Sequence, residues 1–306
     1  MEEQDLLNKI KNLNVNRSGD RRAPHKPLLV LIAIAKLRQG QSKLRYADAT
    51  SILLPLLRSY APPVQGSHQP ELPYWHLQGD GIWEVSDADS LPRQSGNFPR
   101  IGALRETEAG FSQKVIDALV QSPKLTGKIV QKLLEQHFPT SIHDDLIAQV
   151  GLEDLALMNV EESDLTANIT RTRDPSFRVN VLRAYEYRCA VTGFQAAIGG
   201  AFFGCEAAHV RWHAYDGPDI LENGICLEPT LHKLFDVGAW TLTDDRRIVV
   251  SKDFTGSETA LTRLRENHGR QLSSPIQGEA LVSVEFIRWH REPQLGGVFR
   301  LPAMGL

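Results

Sequence analysis

Four side chains in one stretch have the types and spacing for joint chemistry: His209, Asn223, His232 and Asp236. They lie in HVRWHAYDGPDILENGICLEPTLHKLFDVG, residues 209–238. His232 and Asp236 are four residues apart, so on a helix they share a face. An imidazole nitrogen and a carboxylate oxygen make a workable pair for a divalent ion such as Mg²⁺ or Mn²⁺. Water and a substrate phosphate would fill the remaining positions. A neutral His209 facing that ion can take a proton from an attacking water. The Asn223 amide can bond across to backbone and hold the loop that aims His209. Singly, each has an ordinary reading: a structural histidine at a strand end, an Asn in a turn, an ion pair on a helix surface. The joint order and spacing favour chemistry.

Those side chains need particular elements. CEAAHV reads as a short strand ending in His209, and ICLEP as a second. Between them, Asp216-Gly217-Pro218 and Asn223-Gly224 are turn signals. TLHKLFDVG reads as a helix stopping at Gly238, a residue type suited to a helix C-terminus. The order is strand, loop, strand, helix.

This order, with the blocks YRCAVTG (187–193), EAAHV (206–210), NGICL (223–227) and LHKLFDVG (231–238), resembles the HNH nuclease family and its ββα-metal fold. The resemblance runs over about residues 170–250. It implies that His209 is the general base, Asn223 a loop organiser and His232 a metal ligand. Asp236 falls where many members carry a second helix-borne ligand. Many members also have Asp or His immediately before the base. Here that residue is Ala208, an empty ligand position that gives Asp236 more weight. Glu206 reads mainly as a salt-bridge residue, and His213 as a loop residue. The cysteine-paired zinc of some members is missing, and Cys189 and Cys205 read as small buried hydrophobes.

The chain around these blocks has 306 residues, enough for two ordinary domains, and 42% hydrophobic content to build their cores. A net charge of −3 argues against a generally basic nucleic-acid coat, but leaves room for a local basic groove. Cys189, Cys205 and Cys226 are an odd set without a CxxC pair, which favours a reducing compartment. The start, MEEQDLLNKIKNLN, carries no visible signal peptide. No apolar run approaches the roughly 18–20 residues of a membrane span. The expectation is a soluble, cytoplasmic protein with no membrane partner. Residues 151–170 are acidic, without a strong period, and read as a linker between domains at 1–150 and 171–306, cut near residue 165. Residues 1–150 hold 18 Lys and Arg against 16 Asp and Glu, while 151–306 hold 16 against 21. The N-terminal half is the better partner for a polyanion, with basic residues dense at Arg17, Arg21, Arg22 and Lys26.

In that half, LLVLIAIAKL (28–37) reads as a buried helix with Pro27 at its first position. Residues 47–60 read as a second helix, and 112–137 as helix interrupted near Pro123. YWHLQGDGIWEV reads as two short strands around a Gly-Asp-Gly turn. The blocks RRAPHKPLLVLIAIAKL (21–37) and ELPYWHLQGDGIWEV (71–85) resemble the sulfur-binding domain found beside HNH nucleases, over roughly residues 10–150. Such proteins recognise phosphorothioate DNA, in which sulfur replaces a non-bridging phosphate oxygen. Sulfur accepts hydrogen bonds poorly, so an apolar pocket tolerates it where an ordinary phosphate oxygen would lose its partners. The resemblance puts Leu72 and Pro73 at the apolar wall, His25 and Lys26 among polar DNA contacts, and Gly96 and Arg100 in a contact loop. Arg21 and Arg22 add positive charge. Members often have an aromatic residue at the position of Leu72 and a small one at that of His76. Trp75 reads as core.

The expected fold class is α+β: a mixed α/β DNA-recognition domain followed by a ββα-metal HNH domain. The expected function is a metal-dependent (Mg²⁺ or Mn²⁺) DNA endonuclease that restricts modified, phosphorothioated double-stranded DNA. One HNH site cuts one strand, so a double-strand break calls for a homodimer or two events. Two other readings stand beside it. One is an HNH nuclease reading 5-methylcytosine or unmodified DNA. The other is a non-catalytic DNA-binding regulator, for which Ala208 is the support.

Overall fold

The computed structural model describes residues 1–18, 21–64, 66–94, 98–155 and 174–305. Most of the expected linker, the proposed cut near residue 165 and Gly96 lie outside these. The chain divides into two compact units. Among the described residues, the first takes in 1–17, 22–138 and 143–155, and the second chiefly 174–305. The fold is mixed α+β with small sheets. No helix of the described residues is long and apolar enough to cross a membrane.

The first unit is organised by the helix His25–Arg38, in which every residue from Pro27 to Ala35 is buried. A helix apolar on all sides must sit inside the fold. It begins two residues before Pro27, after Pro24, so Pro27 is its third residue rather than its first. Its N–H would have lacked an intrahelical partner there in any case. A three-stranded antiparallel sheet has Glu108–Phe111 at its centre, flanked by Lys43–Arg45 and Trp83–Val85. Helices Gln113–Gln121 and Pro123–His137 are divided at Ser122, whose hydroxyl accepts the Leu125 N–H.

Only one of the two strands expected in YWHLQGDGIWEV forms. Its first half is a helix, Glu71–His76, that tightens into a 3₁₀ turn at Leu77–Asp80. Tertiary bonds decide this. The buried Tyr74 hydroxyl donates to the carbonyls of Leu44 and Thr107, and the Trp83 indole donates to the Tyr74 carbonyl. Helical spacing also buries Tyr74 and Leu77 together, which strand alternation would not.

In the second unit, helix Pro175–Ala184 opens on Asp174, whose carboxylate accepts the Ser176 N–H. A short hairpin, Ala196–Ile198 with Ala201–Phe203, precedes the strand Glu206–His209. That strand pairs antiparallel with Gly224–Leu227, setting Ala208 opposite Ile225 and His209 opposite Gly224. Helix Pro229–Asp236 follows. Ala208, Ile225, Leu231 and Phe235 join Val181, Leu182 and Trp240 in one core. Asn223-Gly224 is not a turn pair: Gly224 is extended and starts the second strand. A Cβ there would lie 2.3 Å from Val181 Cγ2, so close packing of helix on strand requires glycine. Gly238, with φ +75°, does end the helix region as expected.

Candidate active site

Strand alternation decides which side chains of Glu206–His209 face the site. Ala207 and His209 line a small cleft together with Trp212, His213, His232 and Asp236. Ala208 points the other way and is fully buried in the core. The position before His209 is therefore a packing position, not an empty ligand position, and its alanine does not deplete the site.

His209 is held on two sides. Its Nε2 lies 2.7 Å from Asp219 Oδ1, and its ring stacks on Phe177 with centroids 4.0 Å apart and planes 16° apart. Asp219 Oδ2 accepts the backbone N–H of Asp174 at 2.7 Å and lies 4.0 Å from His213 Nε2. Burial pushes the Asp219 carboxyl up, but the Asp174 N–H and the His209 ring more than offset it and hold it below the usual range.

Asn223 is completely buried. Its Oδ1 accepts the Arg211 N–H at 2.8 Å, and its Nδ2 donates to the Arg211 and Pro218 carbonyls at 3.0 Å each. The Val210 N–H donates to the Asn223 carbonyl. One side chain thus closes the loop just after His209. Gly217 completes it, since a Cβ there would lie 1.9 Å from the Arg211 carbonyl oxygen. Trp212 and Tyr215 anchor the same loop against Trp289 and Val298.

His232 sits between two carboxylates. Its Nδ1 is 2.8 Å from Glu206 Oε2 and its Nε2 is 3.2 Å from Asp236 Oδ2. Burial would lower the imidazole, but the charges of Asp236 and Glu206 and hydrogen bonds to both outweigh it and raise it to about 9. The His232 bond in turn holds the Glu206 carboxyl low. A proton on Nε2, between the ring and a carboxylate only 2% exposed, marks a place that calls for positive charge. A divalent cation meets that call with the same two donor atoms, so His232 and Asp236 fit a metal. Among the described residues no group of three or more His, Cys, Asp or Glu gathers to hold one. Water and phosphate oxygens would have to complete the shell.

All three thiols are free and buried. Burial pushes the Cys205 and Cys226 thiols up, so they remain neutral packing groups.

The first unit gathers several of the expected DNA contacts around helix Glu71–His76. Leu72 is exposed whereas Pro73 is buried, because consecutive helical residues point about 100° apart. Lys26 is nearly buried, with its ammonium 2.5 Å from Asp80 Oδ2. His25 lies against His68, ring centroids 5.3 Å apart. His76 is exposed beside Phe98 at 5.6 Å; partial burial and the Lys26 charge favour its neutral form. Trp75 is half-buried rather than core, with the Arg93 guanidinium 4.7 Å over its ring. Arg22 is half-buried and Arg100 exposed, while the Arg21 side chain and Gly96 lie outside the described residues.

Sequence reasoning did not single out Asp219, Phe177, Arg93 or Phe98. Asp219 left one faint signal, an acid in a Gly-Pro loop ten residues after His209. The others depend on tertiary contact.

The family of ScoMcrA-like DNA sulfur-binding domains matches residues 3–155, half of the chain, and the HNH endonuclease family matches residues 189–243. No curated protein matches the chain. Among solved structures, the sulfur-binding domain of ScoMcrA complexed with phosphorothioated DNA is 22% identical. That match covers 49% of this chain and 96% of that one, with a TM-score of 0.44. The corresponding SprMcrA domain complex is 21% identical, covering 51% and 97%, with a TM-score of 0.42. The type IV phosphorothioation-dependent restriction endonuclease ScoMcrA is 22% identical, covering 58% of this chain and 33% of that one, with a TM-score of 0.44. The chain belongs to the family of proteins with a ScoMcrA-like DNA sulfur-binding domain, and its residues 189–243 form an HNH endonuclease domain.

Proposed function

We propose that the chain is a type IV restriction nuclease whose N-terminal domain binds phosphorothioated double-stranded DNA and whose HNH domain hydrolyses a phosphodiester nearby. One observation carries the nuclease half: His209, His232 and Asp236 line a single cleft, with Asn223 closing the loop beside it. His209 takes a proton from water, whose oxygen attacks phosphorus. The departing oxygen leaves with the bonding pair and is protonated from solvent. His232 and Asp236 would hold a divalent cation, Mg²⁺ or Mn²⁺. When bound, the cation supplies charge stabilisation at the scissile phosphate. Asn223 shapes the loop and does not touch substrate.

On the recognition side, Leu72 provides exposed apolar surface for sulfur, and Pro73 is buried next to it in the same helix. Arg22, His25, Lys26, His76 and Arg100 are the polar contacts to the modified phosphate. A neutral His76 and an Asp80-paired Lys26 lower the positive charge offered to an ordinary phosphate oxygen, which suits discrimination by polarity. One HNH site cuts one strand, so a double-strand break requires a homodimer or two independent events.

The test is cutting of phosphorothioated and plain plasmid with Mg²⁺ or Mn²⁺. Cleavage of the modified plasmid that disappears in His209→Ala, with modified-DNA binding retained, supports the proposal. Mn²⁺-dependent cutting that persists in His209→Ala rejects the base. Equal affinity for phosphorothioated, methylated and plain duplexes rejects sulfur recognition.

A further inference from the structure

We propose that Asp219 is a positioning residue for the His209 base, acting by choosing which imidazole nitrogen carries the proton. The proposal rests on the reading of His209 as the base.

An ionised carboxylate only accepts hydrogen bonds. At 2.7 Å from Asp219 Oδ1, His209 Nε2 is therefore the donor. The neutral ring is the Nε2–H tautomer, and its lone pair is on Nδ1. The Phe177 ring fixes the plane of the imidazole, and the Asp219 bond fixes its rotation within that plane. The two contacts together set the direction in which Nδ1 accepts. When water gives up its proton, the O–H pair stays with the attacking oxygen and the proton bonds to Nδ1. The ring then carries N–H on both nitrogens, and its new positive charge is paired with Asp219.

The carboxylate is itself fixed. Asp219 Oδ2 is committed to the Asp174 N–H at 2.7 Å, at the start of the helix that also supplies Phe177. His213 is the other titratable ring facing Asp219, at 4.0 Å. Helix Pro175–Ala184 thus aims the base from both sides, through a backbone N–H to Asp219 and through an aromatic face.

The Asp174 N–H makes one substitution diagnostic. In Asp219→Asn the amide has a single acceptor oxygen, and the Asp174 N–H claims it. The amide NH₂ is left facing His209, which must then accept at Nε2 and carry its proton on Nδ1. The shape is kept but the tautomer is wrong for a base at Nδ1.

The experiment measures the His209 tautomer by long-range ¹⁵N–¹³C NMR in the full-length protein, beside strand cutting and modified-duplex binding. Wild type should show Nε2–H. Asp219→Asn should show Nδ1–H, lose about 10²- to 10⁴-fold in cutting rate, and bind modified duplex as wild type does. Asp219→Glu, which keeps a carboxylate, should keep Nε2–H and recover part of the rate. An Asp219→Asn protein that keeps the Nε2–H tautomer, or cuts within about threefold of wild type, would overturn the proposal. If Asp219→Asn does not fold, Asp219→Ala decides: cutting near the wild-type rate overturns it, and lost cutting with a mixed tautomer supports it. Failure of the base reading is distinguishable, because His209→Ala would then still cut.

Discussion

Glu206 and His232 are joined across the strand–helix junction, Oε2 to Nδ1 at 2.8 Å. In the proposed metal reading, the carboxylate holds the ring proton on Nδ1 and leaves Nε2, beside Asp236, as the donor atom for a cation. Carboxylates placed this way behind a ligating histidine typically contribute about 10- to 100-fold in metal affinity. Glu206→Gln should weaken Mn²⁺ binding by about that factor, read by electron paramagnetic resonance without DNA. Unchanged Mn²⁺ affinity would reduce Glu206 to a surface ion pair.

Asn223 binds three backbone groups from a fully buried position. Removing its amide strands the Arg211 N–H and two carbonyls in the interior. Asn223→Ala should lose about 2–4 kcal/mol in urea unfolding, and cutting should fall because the loop after His209 loosens. Asn223→Asp should also lose stability, since a carboxylate cannot donate to the Arg211 and Pro218 carbonyls. A variant with wild-type stability would show that the loop holds itself.

The sequence made the strand–loop–strand–helix order legible because each element has a local cause. The Gly217-Pro218 loop follows the strand that ends in His209, glycine stops the helix at Gly238, and a four-residue spacing joins His232 to Asp236. What stayed hidden depends on contacts made only on folding. The helix at Glu71–His76 follows from bonds between Tyr74 and two distant carbonyls. Gly224 mimicked a turn glycine, but its reason is Val181. Ala208 looked like a missing ligand by its place just before His209, but adjacent strand residues face opposite ways and it packs in the core. Asp219 is set against His209 by a loop whose path no local periodicity encodes.

His290 is buried and neutral, stacked on Phe235 with its Nε2 donating to the Phe235 carbonyl and its Nδ1 at the Thr241 hydroxyl. Burial drives it down to about 4, with the Phe235 carbonyl and the Asp236 charge offsetting part of that. In the unfolded chain it titrates near its ordinary 6.5. Between those values the unfolded state binds a proton that the native state refuses. Stability is therefore full above pH 6.5, falls as pH drops, and levels off near pH 4. The loss is about 3 kcal/mol by linkage. Urea unfolding in chelator at pH 7, 5.5 and 4.5 should show the fall in wild type and a shallower one in His290→Gln. Equal slopes would mean other groups set the acid response.

Leu72 is the exposed apolar residue of helix Glu71–His76, four positions before His76. If sulfur rests on it, a carboxylate there would face the modified phosphate and replace apolar contact with repulsion. Leu72→Glu should weaken binding to a phosphorothioate duplex by about tenfold or more, the equivalent of about 1.4 kcal/mol. A plain duplex should lose less, because it gains little from an apolar wall. The measurement is a paired titration of both duplexes by fluorescence anisotropy at fixed salt, since phosphate contacts vary steeply with ionic strength. Equal losses on both duplexes would assign Leu72 to general backbone contact and move sulfur selection elsewhere on this unit.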